Sequence, residues 1–174
     1  MACAAAKRWN EKRWSVVHLR FYALLFITVL LDQVSKIMVR HHMQIGDSIE
    51  VWSGFLHFTR YENSGAAFGM FQGYGRLFVP VAILVIGLIL YYRKKGYIKG
   101  RLLETGAALF GGGAIGNAID RTLFNQVTDF IAFQYHDGIL NLADYALNVA
   151  ILLIALAMLF ERLEAMKAQA KTTI

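Results

Sequence analysis

Aspartates at the borders of apolar segments are the residues of this sequence best suited to chemistry. Asp144 lies near the start of "ILNLADYALNVAILLIALAMLF", residues 139–160, although an unpaired carboxylate at a helix centre costs about 2.5–3.5 kcal/mol in lipid. Two aspartates held together share one proton, because both cannot ionise at close range. One then acts as a general base on water while its protonated partner polarises a carbonyl. Peptide hydrolysis needs that pair of roles and no cofactor.

The spacing of the aspartates does not decide which residue joins Asp144. Asp120, Asp129 and Asp137 all lie in the segment before it, and each is a candidate. Asp144 also has a purely structural interpretation, in which Asn141 caps a helix and Asp144 completes a capping box three residues later. For Asp129, in a loop, the simpler interpretation is an ordinary solvated carboxylate.

Other polar residues recur at helical spacing inside apolar segments. Asp32 and Lys36 are four residues apart and can pair on one helix face, most simply as a structural ion pair. Two further sets share helix faces: Gly113, Gly116, Asn117, Asp120 and Arg121, then Asn141, Asp144 and Asn148. Glycine lets another helix approach closely, and buried amides and charges require partners. All these residues lie toward one end of their helices, so we expect a common polar site there.

Other kinds of site lack support in the sequence. Cys3 is the single cysteine, so no intrachain disulfide or cysteine metal cluster is possible. The five histidines are scattered without metal-ligand spacing. GxSxG, HExxH and glycine-rich phosphate loops are absent from the sequence, which disfavours serine hydrolases, zinc peptidases and nucleotide enzymes. We therefore expect neither a metal nor a cofactor.

The composition indicates a small membrane protein. Of 174 residues, 57% are hydrophobic and 17% are charged. A hydrocarbon core of about 30 Å needs roughly 20 apolar helical residues, and four segments qualify: about 19–39, 76–92, 102–119 and 140–160. We predict one integral membrane domain over residues 1–174. A cleaved signal peptide is a weaker interpretation of the first segment, because Asp32 and Lys36 follow its core directly and no small-x-small site is there.

The basic residues predict the orientation. Thirteen of the 18 lysines and arginines lie in residues 1–20, 93–101 and 162–171, which share one side of the membrane if there are four spans. By the positive-inside rule, both termini and the 93–101 loop are cytoplasmic, while about 40–75 and 120–138 face outward. The net charge of +6 is therefore an orientation signal, and nucleic acid is not an expected partner.

The outward segments have the pattern of short strands. Residues 49–58 alternate around Ser53 and Gly54, which is typical of a hairpin, and residues 127–135 alternate in the same way. Aromatic residues are frequent in both segments, and such side chains suit the headgroup level. The predicted fold class is an all-α membrane protein with four transmembrane helices and a small extracytoplasmic β-sheet cradle.

Five motifs in order resemble those of the lipoprotein signal peptidases (signal peptidase II), aspartic peptidases of bacterial inner membranes. They are "DQVSK", "ENSGAAFG", "GGAIGNAIDR", "VTDF" and "NLAD", and the resemblance covers about residues 20–160. It implies a catalytic pair formed by Asp129 and Asp144. The residues that match positions with supporting roles are Asp32, Lys36, Asn63, Gly65, Asn117, Asp120, Arg121 and Asn141. Among these, we expect Asn117, Arg121 and Asn141 to orient the pair or the scissile carbonyl, and Asn63 to bind the substrate backbone.

The resemblance also implies substrate and location. The expected substrates are prolipoproteins that carry diacylglycerol on a lipobox cysteine and are cut just before that cysteine. The protein would be a multi-pass monomer of the bacterial inner membrane, in contact with lipid, with both termini cytoplasmic and its active site near the periplasmic face. Tyr145 departs from the pattern, because the family often has a small residue after "NLAD". This leaves the fine specificity of the pocket open.

Two other functions are weaker alternatives. A proton- or ion-coupled transporter could use Asp32, Lys36, Asp120 and Asp144 as a relay, but it should carry polar residues through the full depth of the bundle. A non-catalytic scaffold could pack through the glycines of 111–116. Flux without peptidase activity would favour the transporter, and neither activity would favour the scaffold.

Overall fold

The protein consists of four helices and a small antiparallel sheet. This computed structural model describes the backbone of residues 2–65, 71–135 and 138–172, and the side chains of 18–65, 71–135 and 138–170. The elements, in chain order, are α1 (Ala2–His42), β1 (Ser48–Trp52), β2 (Leu56–Asn63), a 3-10 turn (Gly75–Leu77), α2 (Phe78–Lys94), α3 (Arg101–Phe124), β3 (Val127–Phe133), β4 (Ile139–Leu140) and α4 (Leu142–Thr172). Asp137 and residues 66–69 of "ENSGAAFG" lie outside the described residues, as do the side chains of 1–17.

Three helical segments are long and apolar enough to cross a membrane within the described part of the chain. They are His18–His42, Gly75–Lys94 and Leu142–Ala170. The predicted third span, about 102–119, corresponds to α3, which is not among them. Its glycines, together with Asn117 and Asp120, lower its mean hydropathy. The membrane-helix character is confirmed, and the count of four spans stays a prediction.

Helix α3 lies among the other three helices, and its glycines allow that position. A Cβ on Gly116 would come within 2.5 Å of Asp32 Oδ2 on α1, and one on Gly113 within 2.6 Å of the Ala143 carbonyl on α4. A Cβ on Gly112 would lie 2.7 Å from the Cβ of Thr28. Glycine is therefore required wherever α3 meets α1 and α4 at backbone distance.

The four strands form one antiparallel sheet in the order β1-β2-β3-β4. β1 and β2 make the predicted hairpin, in which Gly54 adopts a positive φ of 66°. β2 pairs with β3 so that Glu62 faces Thr128, with an irregularity between Phe58 and Tyr61. The predicted small sheet is confirmed.

Two apolar clusters hold the ends of the bundle. Val39 of α1 and Met43, which follows the helix directly, pack against Phe130 of β3, and this contact fixes the sheet to the end of α1. At the opposite end Phe21 packs against Ala107 and Ala108 of α3. The charged and amide side chains described below lie near the first cluster, where the sheet meets the helices.

Candidate active site

The site begins with the cap of α4. The Asn141 side-chain carbonyl accepts the Asp144 backbone N–H at 3.0 Å, while Asp144 Oδ2 accepts the Asn141 backbone N–H at 3.2 Å. This reciprocal pair is a capping box, so the structural interpretation of these two residues is correct. It also keeps the Asp144 carboxylate at the positive end of the helix dipole.

The same Asn141 side chain reaches the second aspartate. Its amide Nδ2 donates to Asp129 Oδ1 at 2.5 Å, while its oxygen is bound to Asp144. Asp129 comes from β3 and Asp144 from α4, and one amide therefore joins them. Among the described candidates Asp120, Asp129 and Asp144, this is the pair that the fold connects through a single side chain.

Asp129 is the more enclosed of the two carboxyls. Only 2% of the residue is exposed, and Asn63 of β2 donates to its Oδ2 at 3.0 Å. Burial raises the pKa of Asp129 to about 7, with a further contribution from the charge of Asp144, against hydrogen bonds from Asn63 and Asn141 that lower it. An aspartate with such a pKa can hold a proton at neutral pH, as acid catalysis requires.

Asp144 is oriented from the other side by an amide of α3. Asn117 Nδ2 donates to Asp144 Oδ1 at 2.8 Å. The Asn117 oxygen accepts from Lys36 Nζ at 2.9 Å. Because an ammonium group can only donate, Lys36 decides which end of the Asn117 amide points at Asp144.

Lys36 belongs to a buried charge cluster in which cations and anions balance. Its Nζ lies 2.9 Å from Asp32 and 3.2 Å from Asp120, and all three side chains are completely buried. Arg40 lies 3.4 Å from Asp120 and supplies the second positive charge. The other carboxylate oxygen of Asp32, Oδ1, accepts the Ala143 backbone N–H at 2.9 Å. The cluster therefore connects α1 and α3 to the first turn of α4, which carries Asp144.

Asn63, Gly65 and Arg121 form the rim nearest β2. Asn63 Oδ1 accepts the Gly65 backbone N–H at 3.0 Å, and Arg121 Nη2 donates to the Gly65 carbonyl at 3.2 Å. The Arg121 guanidinium stacks 5.1 Å from the centre of the Phe78 ring, and its Nε is buried without a hydrogen-bond partner in the described part of the chain. Asn63 thus binds Asp129 and Gly65 here, where a substrate contact was expected.

The structure brings together the described residues that the sequence predicted for the polar site, with the exception of Asn148. Asn148, on the same predicted stripe as Asn141, is exposed, whereas Asn141 is completely buried. Gln33 and Arg40 were not expected, and both contact Asp120, at 3.3 and 3.4 Å. Asp32, Lys36 and Arg40 follow one another at intervals of four residues, and this spacing could have predicted that Arg40 joins the charge cluster. Among the described residues, no three metal-ligating side chains gather into a metal site.

Comparison with known proteins decides the family. The family model for signal peptidase (SPase) II matches residues 24–160, which include every described site residue. The chain belongs to the signal peptidase II family. The resemblance inferred from the five motifs is confirmed, as is the prediction of a membrane-helix protease of lipoprotein processing.

Curated relatives and solved structures agree with this membership. The chain is 40% identical over 144 residues to a lipoprotein signal peptidase of Bacillus pumilus, covering 81% of this chain and 93% of that protein. It is 42% identical over 137 residues to one of Listeria monocytogenes, covering 76% and 88%. A solved bacterial membrane enzyme is similar at a TM-score of 0.78 and 33% identity, over 82% of this chain and 89% of that one. A second such enzyme gives a TM-score of 0.71.

Proposed function

We propose that this signal peptidase II family member is an aspartic endopeptidase that removes signal peptides from diacylglyceryl-modified prolipoproteins, cutting just before the lipidated cysteine. The observation that carries the aspartic mechanism is the Asn141 bridge between Asp129 and Asp144. The relatives are named lipoprotein signal peptidases, which supports the substrate. No cofactor takes part in this mechanism.

In the proposed reaction Asp129 carries the shared proton and Asp144 is the base. Asp144 takes a proton from a water molecule while the water oxygen attacks the scissile carbonyl carbon. The Asp129 O–H hydrogen-bonds to the carbonyl oxygen, where negative charge develops. As the C–N bond breaks, the proton held by Asp144 passes to the leaving nitrogen. The pKa of about 7 for Asp129 supports its role as the protonated partner at the start.

The remaining site residues are assigned to orientation. Asn117, fixed by Lys36, holds Asp144, and Asn141 holds the distance between the two aspartates. Asn63 and the Arg121–Gly65 contact shape the side of the site that faces the substrate. Asp32 and Asp120 both pair with Lys36, and Asp32 also accepts the Ala143 N–H in the first turn of α4. Removal of any of these residues should therefore lower turnover more than it lowers substrate affinity.

The strand pairing supports four spans. β2 and β3 are neighbours in one sheet, yet α2 and α3 separate them in the chain. If α2 crosses the membrane, α3 must cross back for β3 to reach β2. Its 24 residues extend about 36 Å at 1.5 Å each, enough for a hydrocarbon core.

The charge pattern then supplies the orientation of this single membrane domain. The basic loop 93–101 and both termini lie in the cytoplasm, and the sheet lies on the outer face of the bacterial inner membrane. The acyl chains of the substrate stay in lipid while its scissile bond enters the polar site between the sheet and the helix ends. In this proposal the enzyme acts as a monomer.

Lipid dependence of cleavage tests the proposed substrate. The purified protein in detergent is given a lipobox precursor with diacylglycerol on its cysteine and, separately, the same precursor without lipid. We expect cleavage before the cysteine in the first case only, measured by mass spectrometry of the products. Equal cleavage of both forms, or cleavage elsewhere, would overturn the substrate assignment.

A further inference from the structure

A second polar network lies on the opposite face of β3 from Asp129. Arg40 Nη1 at the end of α1 is 3.0 Å from Thr128 Oγ1, and Thr128 Oγ1 is 3.0 Å from Glu62 Oε2 on β2. We call these three residues the Thr128 junction. Thr128 is 1% exposed, so its hydroxyl has no access to solvent as an alternative partner.

The donor and acceptor roles in the Thr128 junction are fixed by chemistry. The Arg40 guanidinium can only donate, so the Thr128 oxygen accepts from it. The ionised Glu62 carboxylate can only accept, so the Thr128 O–H donates to it. Serine could make both bonds, while valine has the shape of threonine and can make neither. A buried donor or acceptor that loses its partner is costly.

The Glu62 end of the junction is itself anchored. Glu62 Oε1 accepts from Arg60 Nε at 3.0 Å and from Arg60 Nη2 at 2.8 Å, a forked contact. Arg60 Nη1 also donates to the backbone carbonyls of Arg40 and Met43, at 3.1 and 2.7 Å. The network therefore closes on itself across the end of α1, β2 and β3.

The position of the junction bears directly on Asp129. Glu62 and Thr128 are direct partners in the β2–β3 ladder, and the pairing is irregular between Phe58 and Tyr61. A strand alternates its faces, so a slip by one residue would turn Asp129 away from Asn63 and toward α1. The Glu62–Thr128 hydrogen bond lies just beyond the irregular stretch and specifies the register there.

We propose that Thr128 is a positioning residue, whose hydroxyl holds β3 in the register that presents Asp129 to Asn63 and Asn141. The inference rests on the proposed role of Asp129. Thr128 itself touches neither the substrate nor Asp144; it acts through the backbone that it shares with Asp129. Its backbone N–H donates to Asp120 Oδ2 at 3.3 Å, which secures the same strand from the α3 side.

The test compares Thr128→Val, Thr128→Ser and the control Thr59→Val on a lipidated precursor. Thr59 lies on the same sheet and its hydroxyl pairs with Ser48 on the exposed surface. We expect Thr128→Val to lower kcat, per folded enzyme, on the order of tenfold to a hundredfold with little change in KM, because a small displacement of a reacting group is costly in rate. Thr128→Ser should stay within about threefold of the wild type, since it keeps both bonds, and Thr59→Val should match the wild type.

Three results would overturn the inference. The first is a wild-type kcat per folded enzyme for Thr128→Val with an unchanged melting temperature, the second is the same kcat with a lower melting temperature, and the third is an equal loss of kcat in Thr128→Ser. Asp129→Asn is assayed in parallel to separate this inference from the proposed function. If Asp129→Asn still cleaves, the proposed function fails; if it is inactive while Thr128→Val is fully active, only the positioning role fails.

Discussion

Asp129 and Asp144 are the same residue type in different surroundings, and that difference divides their proposed roles. Asp129 is enclosed by the sheet and accepts from two side-chain amides, those of Asn63 and Asn141. Asp144 lies in the first turn of α4, where it accepts a backbone N–H and the Asn117 amide. The helix end favours negative charge, while the enclosed strand position favours the proton. A shared proton should therefore reside on Asp129.

The raised pKa of Asp129 predicts the pH dependence of activity. We expect kcat/KM for a lipidated precursor to fall as pH rises above about 7, because the aspartate pair then loses its shared proton. A pH–rate profile between about pH 5 and 9 measures this decrease in kcat/KM. Activity that is flat or increasing up to about pH 9 would contradict the assignment of the proton.

Stability should respond to pH with a defined sign. The folded protein binds the Asp129 proton more tightly than the unfolded chain, whose carboxyl has a pKa near 3.8. The contribution of this group to stability is therefore present at low pH and is lost as pH rises from about 4 to about 7. Asp129→Asn should weaken the decrease in melting temperature across that interval.

The sequence could predict which residues gather, but not all of their contacts. Helical spacing placed Asp32 beside Lys36 and Asn117 near Asp120, since a helix face is a local property. Asp129 lies on a strand, and its meeting with Asn141 depends on how the sheet packs on the helices. For this reason the spacing alone left Asp120, Asp129 and Asp137 open. The double role of Asn141, as helix cap and bridge, likewise required tertiary structure.

At the scale of the elements, the approach of α3 to α1 determines whether the charge cluster can form. Gly116 removes the side chain that would otherwise occupy the space of the Asp32 carboxylate. Asp32 cannot move aside cheaply, because Lys36 and the Ala143 N–H hold its two oxygens. The first turn of α4, and with it Asp144, therefore depends on this glycine.

We expect Gly116→Ala to destabilise the protein by about 1–3 kcal/mol and to lower activity, since the added methyl overpacks the contact. Gly87→Ala is the matched control, because a Cβ there has no neighbour within 4 Å among the described atoms. It should be neutral or stabilising by up to about 1 kcal/mol. Thermal unfolding in detergent and turnover of a lipidated precursor measure both variants. Equal effects of the two substitutions would refute the packing argument.

The elements were predicted from the sequence with uneven success. The alternation around Ser53 and Gly54 predicted the hairpin, and the apolar runs predicted α1, α2 and α4, because both signals are local. Helix α3 gave the weakest hydropathy signal, since the glycines and polar residues that allow its central position also dilute its apolar character. Which strands pair was not foreseen, because the β2–β3 ladder joins segments separated by two helices.

At the scale of the whole molecule, the proposed topology separates a catalytic face from a basic face. In this proposal the sheet and the aspartate pair belong to the outer face, and the 93–101 loop belongs to the cytoplasmic face. The proposed arrangement would place the site where a translocated lipoprotein precursor arrives with its lipid still in the bilayer.

Cysteine labelling can test this arrangement. In a Cys3→Ser background, Ser53→Cys and Gln134→Cys mark the sheet and Lys99→Cys marks the basic loop; all three positions are exposed. We expect a membrane-impermeant maleimide to label the first two in intact spheroplasts and Lys99→Cys only after lysis. Labelling of Lys99→Cys in intact spheroplasts would show that the orientation is the reverse of the proposed one. Protection of Gln134→Cys alone would contradict the crossing of the membrane by α3.

Cleavage of a lipidated precursor by Asp129→Asn and Asp144→Asn tests the central claim most directly. Asp47→Asn is the matched control, because Asp47 lies at an exposed turn where, among the described residues, its carboxylate accepts only the Gln44 N–H. We predict that both site variants fold and insert yet lose activity by roughly 10²–10⁴-fold or more, while the control keeps wild-type turnover. If either site variant retained more than about a tenth of wild-type turnover, two aspartates sharing one proton could not be the catalytic machinery.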